Sequence, residues 1–266
     1  MVGMTKRRKL IVGNWKLHGS IAGNRQLLQQ LRFNLQKLNA VDFALCLPYV
    51  YLFQGQQLLA GSNILWGSQN VSQYDEGAYT SCISAAMIAE FGCRFVIVGH
   101  SERRLLRLDS YEVIARKLQR ALASGLTPIY CVGETQQERD AGMAEEVIQQ
   151  QLLNMLNALD DEALVQAKAL NLVVAYEPVW AIGTGQYASP QQAQLMHVLI
   201  RKLIAARDWA FSQQVCIIYG GSLTADNAHD ILSMPDIDGG LLGRSSLDAS
   251  AFTKISLIAN RLALAG

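Results

Sequence analysis

Leu172-Val173-Val174-Ala175-Tyr176-Glu177-Pro178 passes from an unbroken apolar run into a carboxylate and a proline; after a glycine-rich stretch, Ser189-Pro190 opens a helix. A strand that is apolar on both sides is covered on both faces, as in a parallel sheet. Ser189 suits the N-cap, Pro190 the first helical position, and Met196, Leu199, Ile200 and Leu203 recur at helical spacing. The unit is therefore strand, polar loop, helix, and it repeats along the chain. Apolar runs predict strands at 10–13, 43–47, 64–67, 95–98, 128–132, 172–175, 215–219 and 237–242. Helical periodicity predicts helices at 20–38, 80–91, 111–123, 145–156, 190–205 and 248–264. Eight such units in 266 residues point to the α/β class and a closed (β/α)8 barrel, with an open doubly wound sheet as the competing arrangement. No Pro/Ser-rich linker or low-complexity tract interrupts the chain, so residues 1–266 read as one barrel domain in which 1–9 form a basic lead-in.

Composition excludes several classes of function. Half the residues are hydrophobic and 17% charged, which suits a large core and not a disordered chain. Lys and Arg total 23 against 22 Asp and Glu, and a net charge of +1 carries no footprint for nucleic acid. No run of about 18 apolar residues predicts a membrane span. After Lys6-Arg7-Arg8-Lys9, the stretch Leu10-Ile11-Val12 is too short for a signal peptide before Gly13-Asn14 breaks it. Cys46, Cys82, Cys93, Cys131 and Cys216 form no C-x-x-C pair and are expected as small core residues in a reducing cytoplasm, Cys131 lying near the rim. Nucleotide-cradle and H-E-x-x-H motifs are absent, and the four dispersed histidines suggest no metal site. His197 and His229 fall in helices and are expected in the outer layer. No cofactor or metal is expected.

The polar and glycine-rich residues follow the strands. Gly13-Asn14-Trp15-Lys16, Gly67-Ser68-Gln69-Asn70, Gly99-His100-Ser101-Glu102, Gly133-Glu134-Thr135, Glu177-Pro178, Gly220-Gly221-Ser222 and Gly243-Arg244-Ser245 all sit where barrel active sites are built. Alone, Lys16 is by default a solvated lysine, His100 a structural histidine and Glu177 a strand-end carboxylate. Three such residues converging on one rim are harder to obtain by accident. The apolar setting of Glu177 should desolvate its carboxylate and suit it to act as a base. His100 precedes a helix start, whose N–H dipoles oppose imidazolium and leave a neutral donor. With Lys16 as a fixed cation, the set suits proton abstraction beside a carbonyl and stabilisation of the oxyanion.

Gly220-Gly221-Ser222 and Gly243-Arg244 follow the last two strands and read as a phosphate cradle of backbone N–H groups, or else as tight turns. The apolar stretch from Pro178 to Gly185 reads as a lid joined to Glu177, or else as a buried connection.

Gly13-Asn14-Trp15-Lys16, Gly99-His100-Ser101-Glu102-Arg103-Arg104, Cys131-Val132-Gly133-Glu134-Thr135, Ala175–Gly185 and Tyr219-Gly220-Gly221-Ser222 together resemble the triosephosphate isomerase family, in register from the first strand to the last helix. That family is itself a standard example of a histidine kept neutral by a helix terminus, so the dipole reading of His100 is not independent of it. The resemblance implies interconversion of dihydroxyacetone phosphate and glyceraldehyde 3-phosphate through an enediolate, without a cofactor. It implies Glu177 as the proton shuttle, His100 polarising the carbonyl, Lys16 and Asn14 binding oxygens, and Trp15 as a further substrate-binding residue. It also implies Glu102 pairing with Lys16, Ser101 supporting the histidine loop with Cys131 nearby, and Tyr219 securing the closed lid. Phosphate would meet backbone N–H groups of Gly183, Ser222, Gly243 and Arg244. A cytoplasmic homodimer is implied too, with Tyr74 and Tyr79 on the interface loop and Thr80 reaching towards the neighbour's site. Three places depart from the family's usual pattern: Ser81-Cys82, Leu108-Asp109-Ser110-Tyr111, and Arg244 where a second glycine is usual. An arginine keeps its backbone N–H, so the expectation is a side chain directed away from the cradle and a φ below zero.

Two other functions remain open on the residues: an isomerase of a larger sugar phosphate, and a non-catalytic interaction protein retaining the barrel. Intact Lys16, His100 and Glu177 weigh against the second, and a compact lid against the first.

Overall fold

The structure, a computed structural model, describes residues 7–106 and 108–265. Eight parallel strands, β1 (Lys9–Asn14), β2 (Val41–Leu47), β3 (Ile64–Ser68), β4 (Phe95–Val98), β5 (Thr127–Val132), β6 (Val173–Tyr176), β7 (Cys216–Tyr219) and β8 (Gly239–Leu242), pair in chain order. β8 then pairs with β1, so the sheet is a closed barrel and not an open one. Each strand lies where its apolar run predicts, with ends displaced by two residues or fewer.

The apolar runs are continuous because each strand feeds two cores. Along β1, Leu10 and Val12 point into the barrel with Ala44, Cys46, Ile97, Ile129, Ala175, Ile218 and Leu241. Ile11 points outward, into the layer shared with Phe43, Leu45, Val98, Tyr130, Val174, Phe252 and Ile255. Each fully buried Leu, Ile or Phe contributes about 1.5–3 kcal/mol. Both layers need apolar residues, so no polar alternation survives in the sequence.

The helices show where local pattern misleads. Pro190–Arg207 starts with a capping box between Ser189 and Gln192, but its buried face is Ala193, Met196, His197, Ile200, Arg201 and Ile204; Leu199 and Leu203 flank it. His197 is thus a buried residue and not an outer-layer one. Its Nδ1 lies 3.1 Å from the Asp236 carbonyl oxygen, its ring meets Tyr176 edge-on, and burial pulls its pKa down to about 4, so it is neutral. His229 is exposed. The helix expected at 80–91 begins only at Ala85, where Ser84 accepts from the Met87 N–H. Thr80 stays in the preceding loop, where Ser81 holds a φ of 76°. The short helices Leu52–Leu59, Gln136–Asp140, Asp161–Ala169, Trp209–Gln214 and Ala228–Leu232 lie outside the expected set.

The basic lead-in is corrected as well. Residues 1–6 lie outside the described residues, but Lys9 opens β1, Arg7 pairs with Asp238 and Arg8 with Asp42, each at 2.8 Å. Those cations belong to the barrel floor. Of the cysteines, all free, Cys46, Cys93 and Cys131 are buried, Cys216 is half-buried, and Cys82 is exposed, contrary to a core role. Among the described residues no helix is long and apolar enough to cross a membrane, and no group of three His, Cys, Asp or Glu could hold a metal ion.

Candidate active site

The strand ends converge on a cavity of about 310 Å³, near the lower end of the roughly 300–1,000 Å³ usual for ligand pockets. Asn14, Trp15, Lys16, His100, Glu177, Gly183, Ser222, Gly243 and Arg244 all contribute to its wall. Asn14 ends β1, Glu177 directly follows β6, and Gly243 directly follows β8. The barrel thus gathers residues that are far apart in the chain.

Glu177 forms the floor and is 1% exposed. Its Oε2 accepts the Ser101 N–H at 2.9 Å, and its Oε1 lies 2.9 Å from His100 Nε2. His100 caps the helix Ser101–Leu105 with its own side chain, because Nδ1 accepts the Glu102 N–H at 3.2 Å. A nitrogen that accepts carries no proton, so the proton sits on Nε2 and His100 donates to Glu177 as a neutral imidazole. Burial raises the Glu177 pKa, but the hydrogen bond from His100, the charge of Arg104 and the Ser101 N–H together outweigh it and hold the carboxyl below its usual range. The expected desolvation is present, yet in this arrangement it does not win.

Lys16 holds a φ of 52°, uncommon for a residue with a side chain and a concentrated strain at this rim. Its N–H donates to Asn14 Oδ1 at 3.1 Å and its Nζ to Glu102 Oε1 at 2.5 Å, the pairing that the resemblance implied. The Trp15 indole is 1% exposed and packs in the outer core, while Trp15 also forms part of the cavity wall. Cys131 is buried inside the barrel, where burial first and the negative charge of Glu177 second push its thiol well above its usual range. Gly133 carries a requirement of close approach: a Cβ there would fall 1.7 Å from the Glu177 carbonyl oxygen.

The stretch that follows Glu177 is tied at both ends. Trp180 Nε1 donates to Glu134 Oε1 at 2.8 Å, and the same oxygen accepts from Tyr176 at 3.1 Å and Arg139 at 3.0 Å. The Arg139 guanidinium also lies 4.9 Å above the Trp180 ring. At the far end, Tyr219 Oη accepts the Ala188 N–H at 3.1 Å. Sequence reading assigned no role to Glu134, Arg139 or Arg104. Arg104 donates to the carbonyls of Gly99, Cys131 and Gly133, bracing the loops on either side of Glu177. In the sequence these are ordinary charged residues; only full burial of Glu134 marks it as special.

Arg244 is exposed, opens the 3-10 turn Arg244–Leu247, and does not have a positive φ, as expected. Thr80 is not part of the cavity wall. It lies on an exposed loop in which Tyr74 and Tyr79 stack with ring centroids 3.6 Å apart. Asp109, in the departing stretch after the fourth strand, is buried and takes Lys117 at 2.7 Å and Arg103 at 2.8 Å.

The triosephosphate isomerase of Nitrosomonas europaea is 48% identical over 253 residues, 95% of this chain and 98% of its own length. That of Thiobacillus denitrificans is 50% identical over 249 residues, 94% of this chain and 97% of its own. The family profile described as triosephosphate isomerase matches residues 9–259, from the first barrel strand into the last helix, and the chain belongs to that family.

Proposed function

We propose that this isomerase interconverts dihydroxyacetone phosphate and D-glyceraldehyde 3-phosphate by moving one proton between adjacent carbons. One observation carries the reading: a buried carboxylate, Glu177, faces the Nε2–H of neutral His100 on the floor of a small cavity edged by Lys16. A substrate oxygen entering above His100 takes the Nε2–H that Glu177 now accepts. Losing that donor leaves the desolvated carboxylate more basic, at the moment when a base is needed. Glu177 then removes the proton from the hydroxyl-bearing carbon. His100, Lys16 and Asn14 hold the charge developing on the oxygens, and Glu177 returns the proton to the neighbouring carbon. Backbone N–H groups of Gly183, Ser222, Gly243 and Arg244 receive the phosphate. Closure of the lid, for which this family is a standard example, excludes water, with Tyr219 as its latch.

The protein functions in this reading as a single barrel domain and a cytoplasmic homodimer. The loop carrying Tyr74, Tyr79 and Thr80 would enter a cavity of about 390 Å³ on the partner, walled by Tyr49, Asn70, Cys82, Arg103 and Lys117. A compact lid over the cavity suits a larger sugar phosphate less well. A coupled assay with glyceraldehyde 3-phosphate, run beside pentose phosphates, tests the proposal. Rapid turnover of the triose alone is expected; turnover of pentose phosphates in its place would overturn it.

A further inference from the structure

Among the described Lys, Arg, Asp and Glu residues lining the cavity, all are matched except Arg244. Lys16 is paired with Glu102, and Glu177 has the guanidinium of Arg104 acting on it from behind. Arg244 lines the same cavity, is exposed, and makes no hydrogen bond or ion pair with any described residue. The nearby Asp248 is occupied in capping the last helix through the Ala251 N–H at 2.9 Å. The backbone at Arg244 is unstrained, since the positive-φ residues other than glycine are Lys16, Ser81 and Asn171 among the described residues. The arginine therefore leaves the loop's own geometry undisturbed and adds a mobile cation at the mouth.

We infer that the Arg244 side chain is a capture residue for a dianionic phosphate: it draws the substrate to the cavity mouth and takes no part in turnover. This rests on the proposed reading of the site. A single charge and a dianion roughly 8 Å apart in water attract enough to raise local occupancy about fivefold. The effect belongs to encounter, so it appears in kcat/KM and not in kcat. Screening separates it from direct ligation. The Debye length shrinks from about 30 Å at 0.01 M to about 3 Å at 1 M salt, which abolishes steering but leaves a bidentate contact largely in place.

Arg244→Gln keeps the backbone N–H and removes the charge; Arg244→Lys restores the charge without the planar guanidinium. With glyceraldehyde 3-phosphate at about 0.01 M ionic strength, R244Q should lose about fivefold in kcat/KM, with kcat retained and R244K near the parent. At about 0.5 M salt the difference should shrink below about twofold. Turnover of glyceraldehyde, which lacks the phosphate, should be alike in all three. A deficit that persists at high salt, that appears in kcat, or that is missing at low salt overturns the inference. Binding of inorganic phosphate by calorimetry reads Arg244 independently of turnover. Should the parent fail to isomerise triose phosphate while R244Q still shows a salt-dependent loss of phosphate affinity, the isomerase reading falls and the Arg244 inference stands. Equal phosphate affinities at low salt overturn the inference in either case.

Discussion

Replacing Glu177 by glutamine changes one oxygen for an NH2 group inside a site that offers only donors. The carboxylate accepts the Ser101 N–H and the His100 Nε2–H, each at 2.9 Å. An amide has one oxygen, so its NH2 must face one of those donors, and a buried polar group left unpaired costs about 1–3 kcal/mol. For a chain of this size, that corresponds to a fall in Tm of roughly 2–10 °C with the fold retained. Catalysis should suffer far more, because no other carboxylate among the described residues lines the cavity. Loss of a positioned general base is worth about 10²–10⁴-fold, so kcat for glyceraldehyde 3-phosphate should drop at least about 10²-fold. Steady-state kinetics beside a thermal melt and circular dichroism make the measurement. A variant with kcat within about tenfold of the parent would refute the assignment of Glu177 as the base. A variant that fails to fold would refute the estimate of a local and modest structural cost.

The remaining predictions concern stability, the lid and assembly. The Glu177 carboxyl is depressed below its ordinary 4.5, so its contribution is fully present above about pH 4.5 and is lost as pH falls below that. Urea unfolding of the parent and E177Q should converge across this window, whereas parallel curves would contradict it. Glu134→Gln weakens the oxygen that takes Tyr176, Trp180 and Arg139, and should cost about 2–4 kcal/mol while shifting kcat and KM together; an unchanged melt and unchanged kinetics would show that the hinge does not depend on it. Replacing Thr80 and shortening the loop that carries the stacked Tyr74 and Tyr79 should yield a monomer of greatly reduced kcat, and a fully active monomer in sedimentation would contradict the proposed dimer dependence.

Much of the architecture was legible in the chain, because a parallel strand covered on both faces must be apolar throughout. Leu172–Tyr176 and its seven counterparts announce themselves in this way, and the glycines and polar residues behind them mark the rim. The position of His100 at a helix start was legible too, while its side chain capping that helix was set by the structure. The faces of the helices were less legible. Around Pro190–Arg207, Leu199 and Leu203 are more apolar than His197 and Arg201, yet the latter are buried, because the loop before β8 supplies Asp236 and Asp238 to Arg201 and the Asp236 carbonyl to His197 Nδ1. Trp15 shows the same limit: its motif places it at the rim, while the core takes the indole. Residue types, their order and their periodicity by themselves determined the eight strand–helix units and singled out the acid, imidazole and cation behind three strands, while closure of the sheet was settled by the pairing of β8 with β1. Tertiary structure alone decided the protonation of Glu177, the three donors on Glu134 and the unmatched charge of Arg244, because each depends on distances between residues far apart in the chain, which only the closed barrel sets.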